Sequence, residues 1–441
     1  MKIPGKSTSG KAGSRPLTSE SKCPVTHIGS SFDPFDGDPY DFYTMARRED
    51  PIFYNPQLGY WVVTRYNDVR QIFLDSETFS AAVALELFRP LCPAAAQVVV
   101  ESGLQVSPAM VDQDPPAHTR YRKLWRKPFT SEEISKLEPR IRALVTRHID
   151  GFVKRGQTDL IGDFMFEVPA LVIFSLMGVR DQELENVRKY AKRSSEFGFG
   201  QPSDERQVEL AENMAQYWAY AKWHVNGLIE NPGNDLMSEF IKELRKPENE
   251  DLWSLDYLYT FMHQVLFAGH ETTTNAAAGA FRALLTNREQ WEALVADRSL
   301  IPNAVEESLR FYTPVPHWRR ITTKAVTIGG VDLPAGAKLL IALASADRDD
   351  EKFENGDVFD IRRPDADEHL AFGWGRHLCL GEALARLEMR IALEELSRRM
   401  PHMYLVPGQH WDYSPNVCHR GPEHVLVTWE PGANPIPEDR G

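Results

Sequence analysis

Cysteine is scarce in this chain: only Cys23, Cys92, Cys379 and Cys418 occur among 441 residues, and none falls in a CxxC pair or at a zinc-ligand spacing. Neither a disulfide scaffold nor a structural zinc site is encoded, and a reducing cytoplasm is the simplest compartment. Long apolar runs are missing too. None approaches the roughly 20 residues that a bilayer span requires, so no membrane anchor is expected. The amino terminus, MKIPGKSTSGKAGSRPLTSESK, has no apolar stretch of the kind a secretory signal needs, and residues 1–34 read as a disordered tail. Positive charge is in deficit as well. The net charge of −13 argues against a nucleic-acid partner, because neutralising phosphate requires a basic face.

What is present is ordinary globular material. The hydrophobic share of 42% and charged share of 26% suit a packed chain, long enough for one large core or two to three modest ones. The run PYDFYTMARRED reads as a short helix and GYWVVTRY as a strand. From about residue 130 to 310 helical periodicity dominates. It begins at Thr130-Ser131-Glu132-Glu133, a hydroxyl followed three residues on by Glu, which is the capping-box pattern. Between Leu252 and Thr286 no proline interrupts a mostly apolar segment, so a single helix of up to ~50 Å is predicted there. Strand character returns in AVTIGGVDLPAGAKLLIALAS, with turns at Gly329-Gly330 and Pro334-Ala335-Gly336. An irregular Asp- and Arg-rich stretch, residues 347–368, follows. A helix then resumes from Glu382 with Leu384, Leu387 and Ile391 on one face, and HVLVTWE is a last strand. No repeat or linker divides these parts. The expectation is one mainly α domain with a minor β portion over residues 35–430, and a short tail, 431–441.

The most informative segment is FGWGRHLCLG, residues 372–381, where three glycines and Phe372 surround Cys379 just ahead of a helix. Its sulfur would sit at a positive helix end, where amide N–H groups and the dipole favour an anion. Glycine at 375 and 381 permits φ values and close approaches that a Cβ forbids, and lets N–H groups point at the sulfur. An isolated cysteine in such a place is ordinarily a buried structural residue.

The spacing Phe372, Gly375, Cys379, Gly381 resembles the haem-binding signature of the cytochrome P-450 family. That resemblance implies that Cys379 is the axial, metal-binding ligand of a haem b (protohaem IX) iron and pushes electron density onto it. Two further segments agree. Glu307 and Arg310 lie one helical turn apart and can pair on one face. Many surface helices carry such a pair, but its separation from the cysteine loop is similar to the family's Glu-x-x-Arg element, which implies a structural role in a buried ion-pair network with the irregular stretch. Ala268-Gly269-His270-Glu271-Thr272 resembles the family's oxygen-activating helix segment. Dioxygen held in such a site must receive two protons before its O–O bond breaks. The resemblance therefore implies that Ala268 and Gly269 make room, Thr272 donates to dioxygen and Glu271 relays protons.

Haem carries two propionates, for which cations and hydrogen-bond donors are needed. His118, Arg122, Arg320 and His377 match the family by position, whereas Arg120, Lys123, Arg126 and Lys127 read as a solvated basic face. The resemblance covers about nine-tenths of the chain and implies the cytochrome P-450 fold and a dioxygen-dependent monooxygenase acting on a small hydrophobic substrate. No nucleotide-binding Gly motif, flavin segment or ferredoxin cysteine cluster occurs. Electrons are thus expected from a separate ferredoxin and an NAD(P)H-dependent reductase, with the protein itself a cytoplasmic monomer. A peroxide-driven haem enzyme or a haem sensor would need neither Glu271 nor Thr272. Positions expected to face substrate are the loop 81–100, Phe197, Phe199, the helix before Ala268, PVPHW (residues 314–318) and Asn416 to Cys418. Their Phe and Trp residues point to an aromatic substrate, while His317 and Trp318 are not residues expected in such a wall.

Overall fold

The computed structural model describes residues 28–35, 38–191 and 194–433. Residues 1–27 and 434–441, and with them Cys23 and most of both expected tails, lie outside the described residues. Phe32, ahead of the expected boundary at 35, is buried against Phe42, Tyr43 and Phe53, so the packed body begins earlier than the sequence suggests.

Six helices and one sheet position the cavity described below. The helices are α1 (Ala117–Arg126), α2 (Val168–Leu176), α3 (Ser194–Phe199), α4 (Leu255–Thr286), α5 (Ile301–Phe311) and α6 (Glu382–Arg399). The strands are β1 (Ile52–Asn55), β2 (Tyr60–Val63), β3 (Phe79–Ser80), β4 (His317–Thr322) and β5 (Lys338–Ala342), in spatial order β1-β2-β5-β4-β3. The sheet is mixed: β2 runs parallel to β5, pairing Trp61 with Leu339, while the other neighbours are antiparallel. The run ending IALAS does not stay extended, because Leu343–Ala346 turns into a helical segment. Arg320 sits within β4.

The central helix follows its sequence closely. The Ser254 side chain caps α4 by accepting from the Tyr257 amide, and its 32 residues extend ~48 Å. Close approach to α2 is possible because position 269 is glycine. A Cβ there would meet Ile173 Cγ1 at 2.6 Å. At the other predicted helix start, Thr130 accepts from the Glu133 amide, but Glu133 pairs with Lys136 instead of closing the box, and the helix is only Ser131–Ser135. The helix from Glu382 does bury Leu384, Leu387 and Ile391.

Glu307 and Arg310 of α5 are fully buried and bonded at 2.7 and 2.9 Å. Arg310 donates onward to the carbonyls of Asp347 and Gly356, while Arg363 and the Asp360 amide reach Glu307. The irregular stretch 347–363 is therefore held to α5 through charges rather than through regular structure. Removing one partner of such a buried pair costs about 3–5 kcal/mol.

Candidate functional site

A cavity of about 330 Å³ is enclosed between α4, the loop preceding α6, α1 and β4. Its wall brings together His118, Arg122, Ala268, Gly269, Thr272, Arg320, Phe372, His377, Cys379 and Gly381. These come from segments up to 263 residues apart, so nothing short of the tertiary fold unites them.

The cysteine loop is shaped by backbone. Its start is fixed by Gly373 and Gly375, with φ of 71° and 70°, the left-handed region that glycine enters freely. A Cβ on Gly375 would also meet the Phe73 carbonyl oxygen at 2.7 Å. The Cys379 amide donates to the Phe372 carbonyl at 2.9 Å, and Arg122 donates to the Leu378 carbonyl at 2.6 Å. Gly381 departs from expectation. Its φ is −89°, which any residue adopts, and its contribution is an amide N–H given to the Cys379 sulfur.

Cys379 lines the cavity and is exposed rather than packed away in the core. Burial pushes the Cys379 thiol above its ordinary 9.0. The Gly381 amide opposes this, as do the Arg122 and Arg386 guanidinium groups, while Glu382 reinforces it. A cation at the sulfur would reverse the balance, since a coordinating thiol is deprotonated by its metal.

The second group of residues fits a dianionic ligand edge. His118 and His377 face each other with ring centroids 4.1 Å apart. Both nitrogens of His118 and Nε2 of His377 are sealed from solvent without a hydrogen-bond partner. Burial lowers His118 to about 4, helped by Arg122 and Arg376, and burial with Arg320 likewise depresses His377. Arg320 is 2% exposed, and its one hydrogen bond among the described residues goes to the Arg319 carbonyl. Buried unpaired donors and a buried cation cost free energy unless something anionic joins them. Two propionates match that need. Together with a sulfur donor on the same cavity, these residues fit haem.

On the α4 side Thr272 Oγ1 donates to the Ala268 carbonyl at 2.7 Å. Its proton is thereby committed, and it presents lone pairs rather than a donor to the cavity, which differs from the donating role expected. Gly269 lines the cavity, but it is the contact with Ile173 that requires its missing side chain. Glu271 lies one position round the helix and is not in the cavity wall; it accepts from Ser195 of α3 at 2.6 Å.

The expected substrate positions are only partly in place. Leu85, Phe199, Gln264, Val265, Pro314, Val315 and Trp318 line the cavity, whereas Phe197 belongs to a separate buried cluster with Ala95, Leu104 and Trp218. His317 is turned away, bonded between the Tyr43 hydroxyl and the Val417 carbonyl. From the carboxy-terminal segment it is His419, not Asn416 to Cys418, that reaches the wall. Sequence reasoning also missed Met110, Ile173, Ser195 and Glu388, the last a cavity-lining carboxyl that burial pushes well above its ordinary 4.5. Each depends on long-range packing; only the buried position of Glu388 on the face of α6 shared with Leu384 and Ile391 was readable.

The wider chain has known counterparts. A family model described as Cytochrome P450 matches residues 104–401. An intact type IV self-sufficient cytochrome P450 monooxygenase is similar with a TM-score of 0.91 and 42% identity, covering 95% of this chain; the chain spans 55% of that longer protein. Cytochrome P450 CREJ, solved in complex with (4-ethylphenyl) dihydrogen phosphate, is similar with a TM-score of 0.87 and 34% identity, covering 91% of this chain and 100% of that one. Cytochrome P450 107B1 of Saccharopolyspora erythraea is 34% identical over 391 residues, 85% of this chain and 90% of its own length.

Proposed function

The chain belongs to the cytochrome P450 family of haem-thiolate monooxygenases, and we propose that it inserts one atom of dioxygen into a small apolar, aromatic substrate by hydroxylation or oxidative O-dealkylation. The observation that carries this reading is the sharing of one cavity by the Cys379 sulfur, the His118–Arg320 group, Thr272 and an aromatic wall. When bound, haem supplies the iron at which dioxygen is activated.

The protein's own groups then have distinct tasks. Cys379 offers a thiolate donor steadied by the Gly381 amide. His118, Arg122, Arg320 and His377 would hold the propionates by charge-assisted hydrogen bonds. Thr272 keeps an acceptor beside Ala268, able to hold a water or a protonated oxygen in place. Glu271 moves protons inward along α4, with Ser195 orienting its carboxyl. Phe199, Phe267 and Trp318 exclude water and hold the substrate.

Electrons enter from outside these 441 residues. A separate acidic ferredoxin, itself served by an NAD(P)H-dependent reductase, suits the α1 face, where Lys123, Arg126 and Lys127 are exposed. Arg120 of the same cluster is paired with Asp251. We place the protein in the cytoplasm as a monomer; among the described residues no helix is long and apolar enough to cross a membrane.

Titration of the haem-loaded protein with alkylphenols, methoxyaromatics, terpenes and thiocarbamates, read as Soret shifts, tests the substrate class. Aromatics should give the large shifts; a response confined to terpenes would overturn the aromatic reading. Partner-dependent NADH consumption coupled to product distinguishes this activity from a peroxide-driven enzyme or a sensor.

A further inference from the structure

The aromatic end of the cavity contains one side chain that packing alone does not explain. His419 is 4% exposed and its ring lies between Phe199 and Phe267, with centroids 5.4 Å from each and interplanar angles of 67° and 87°. A phenylalanine would fill that place equally well. Nδ1 is sealed inside the protein without a hydrogen-bond partner, and Nε2 bonds to no described residue either. Because His419 lines the cavity and Nε2 is not among the sealed atoms, Nε2 is the nitrogen presented to a ligand.

The residue is also held rigidly. Asn416 Oδ1 accepts from the Cys418 and His419 amides at 2.9 and 3.0 Å, and the Val417 amide donates to the Phe199 carbonyl at 3.1 Å. Gly421 lies so close to α4 that a Cβ would meet Asn275 Cα at 2.7 Å. The segment is thus fixed to α4 on both sides of Ala268 to Thr272, at Phe267 and at Asn275. A group bonded to His419 would be positioned against the same helix that carries Thr272.

We propose that His419 Nε2 is the specificity group of the substrate cavity, selecting an uncharged aromatic of the alkylphenol or aryl ether class whose oxygen bonds the imidazole. Its ring would lie among Phe199, Phe267 and Trp318. This rests on the reading of the cavity as the substrate pocket of a haem-thiolate monooxygenase. Burial holds the imidazole neutral, lowering it to about 3, so it acts as a single hydrogen-bonding partner and not as a counter-charge. Such a site discriminates because a ligand lacking the oxygen leaves the nitrogen desolvated and unpaired.

Calorimetric titration of the haem-loaded protein with 4-ethylphenol and 4-ethyltoluene, which have nearly the same shape, tests this. The wild type should prefer the phenol by about tenfold. His419→Phe should bring the ratio to about one while still binding 4-ethyltoluene, and His419→Gln should restore part of the preference. An unchanged ratio in His419→Phe, or no preference in the wild type, would overturn the proposal. The carbon monoxide spectrum of the same preparations separates the two readings: loss of the thiolate band in the wild type strikes the haem-thiolate reading, whereas a retained band without phenol preference strikes the role of His419 alone.

Discussion

The Ser195 hydroxyl donates to the Glu271 carboxylate at 2.6 Å, joining α3, whose Phe199 lines the cavity, to the acid beside Thr272 on α4. The bond connects the element that meets substrate to the residue proposed to move protons. Glu271→Gln should slow product formation by ~10²-fold, in the range of lost general acid catalysis, and Ser195→Ala should slow it less. Equal turnover in Glu271→Gln and wild type would remove the carboxyl from the pathway.

Thr272 differs from Glu271 in what it controls. With its proton given to Ala268, its task is to hold an oxygen or water in position. In Thr272→Ala, NADH oxidation should continue while product falls and hydrogen peroxide rises; Thr272→Ser, which keeps the hydroxyl, should remain largely coupled. Product and peroxide are measured per NADH consumed, and full coupling in the alanine variant would exclude the role.

A pH dependence follows from the cluster behind the cysteine loop. Burial tends to raise Glu306, but His369 at 3.2 Å and Arg386 at 2.8 and 3.0 Å outweigh it and hold the carboxyl at about 2, below its ordinary 4.5. A depressed carboxylate stabilises the folded state above its unfolded value and loses that contribution as pH falls. Between pH 4.5 and about 2 the protein should lose on the order of 3 kcal/mol from this group. Arg386 lies 4.5 Å from the Phe372 ring, so the cysteine loop should loosen with it. Urea midpoints against pH for wild type and Glu306→Gln provide the check. The variant should be less stable at pH 7 and flatter towards acid; parallel curves would contradict the assignment.

The exposed cations of α1 predict a kinetic effect. Arg126→Glu combined with Lys127→Glu should slow ferredoxin-supported reduction at low ionic strength, with substrate affinity unaltered, because steering acts on association and is screened by salt. Stopped-flow reduction rates measure it. Equal rates would leave these residues as solvation alone.

The parts of the fold legible in the sequence are those set by local chemistry. The start at Glu382 and the proline-free run to Thr286 became α6 and α4, because capping and periodicity act over a few residues. The cysteine loop was legible for the same reason, its glycines and sulfur being consecutive. The mixed sheet was not: β2 and β5 pair across 278 residues, Trp61 to Leu339, and no local signal carries that register. The cavity wall failed likewise. Phe197 and His419 are separated from their neighbours' roles only by which side of α3 or of the 416–421 segment meets α4. Gly381 shows the remaining difficulty: it lies in the cavity wall, but what it supplies is an amide to sulfur and not an unusual φ.

The central claim is that the Cys379 sulfur is the donor to haem iron, and the carbon monoxide difference spectrum of the reduced, haem-loaded protein tests it most directly. Wild type should show the strongly red-shifted Soret band of thiolate ligation, and Cys379→Ala should lose both that band and oxygenase activity, since no neighbouring side chain offers a charged sulfur. The same red-shifted band in Cys379→Ala would contradict the account.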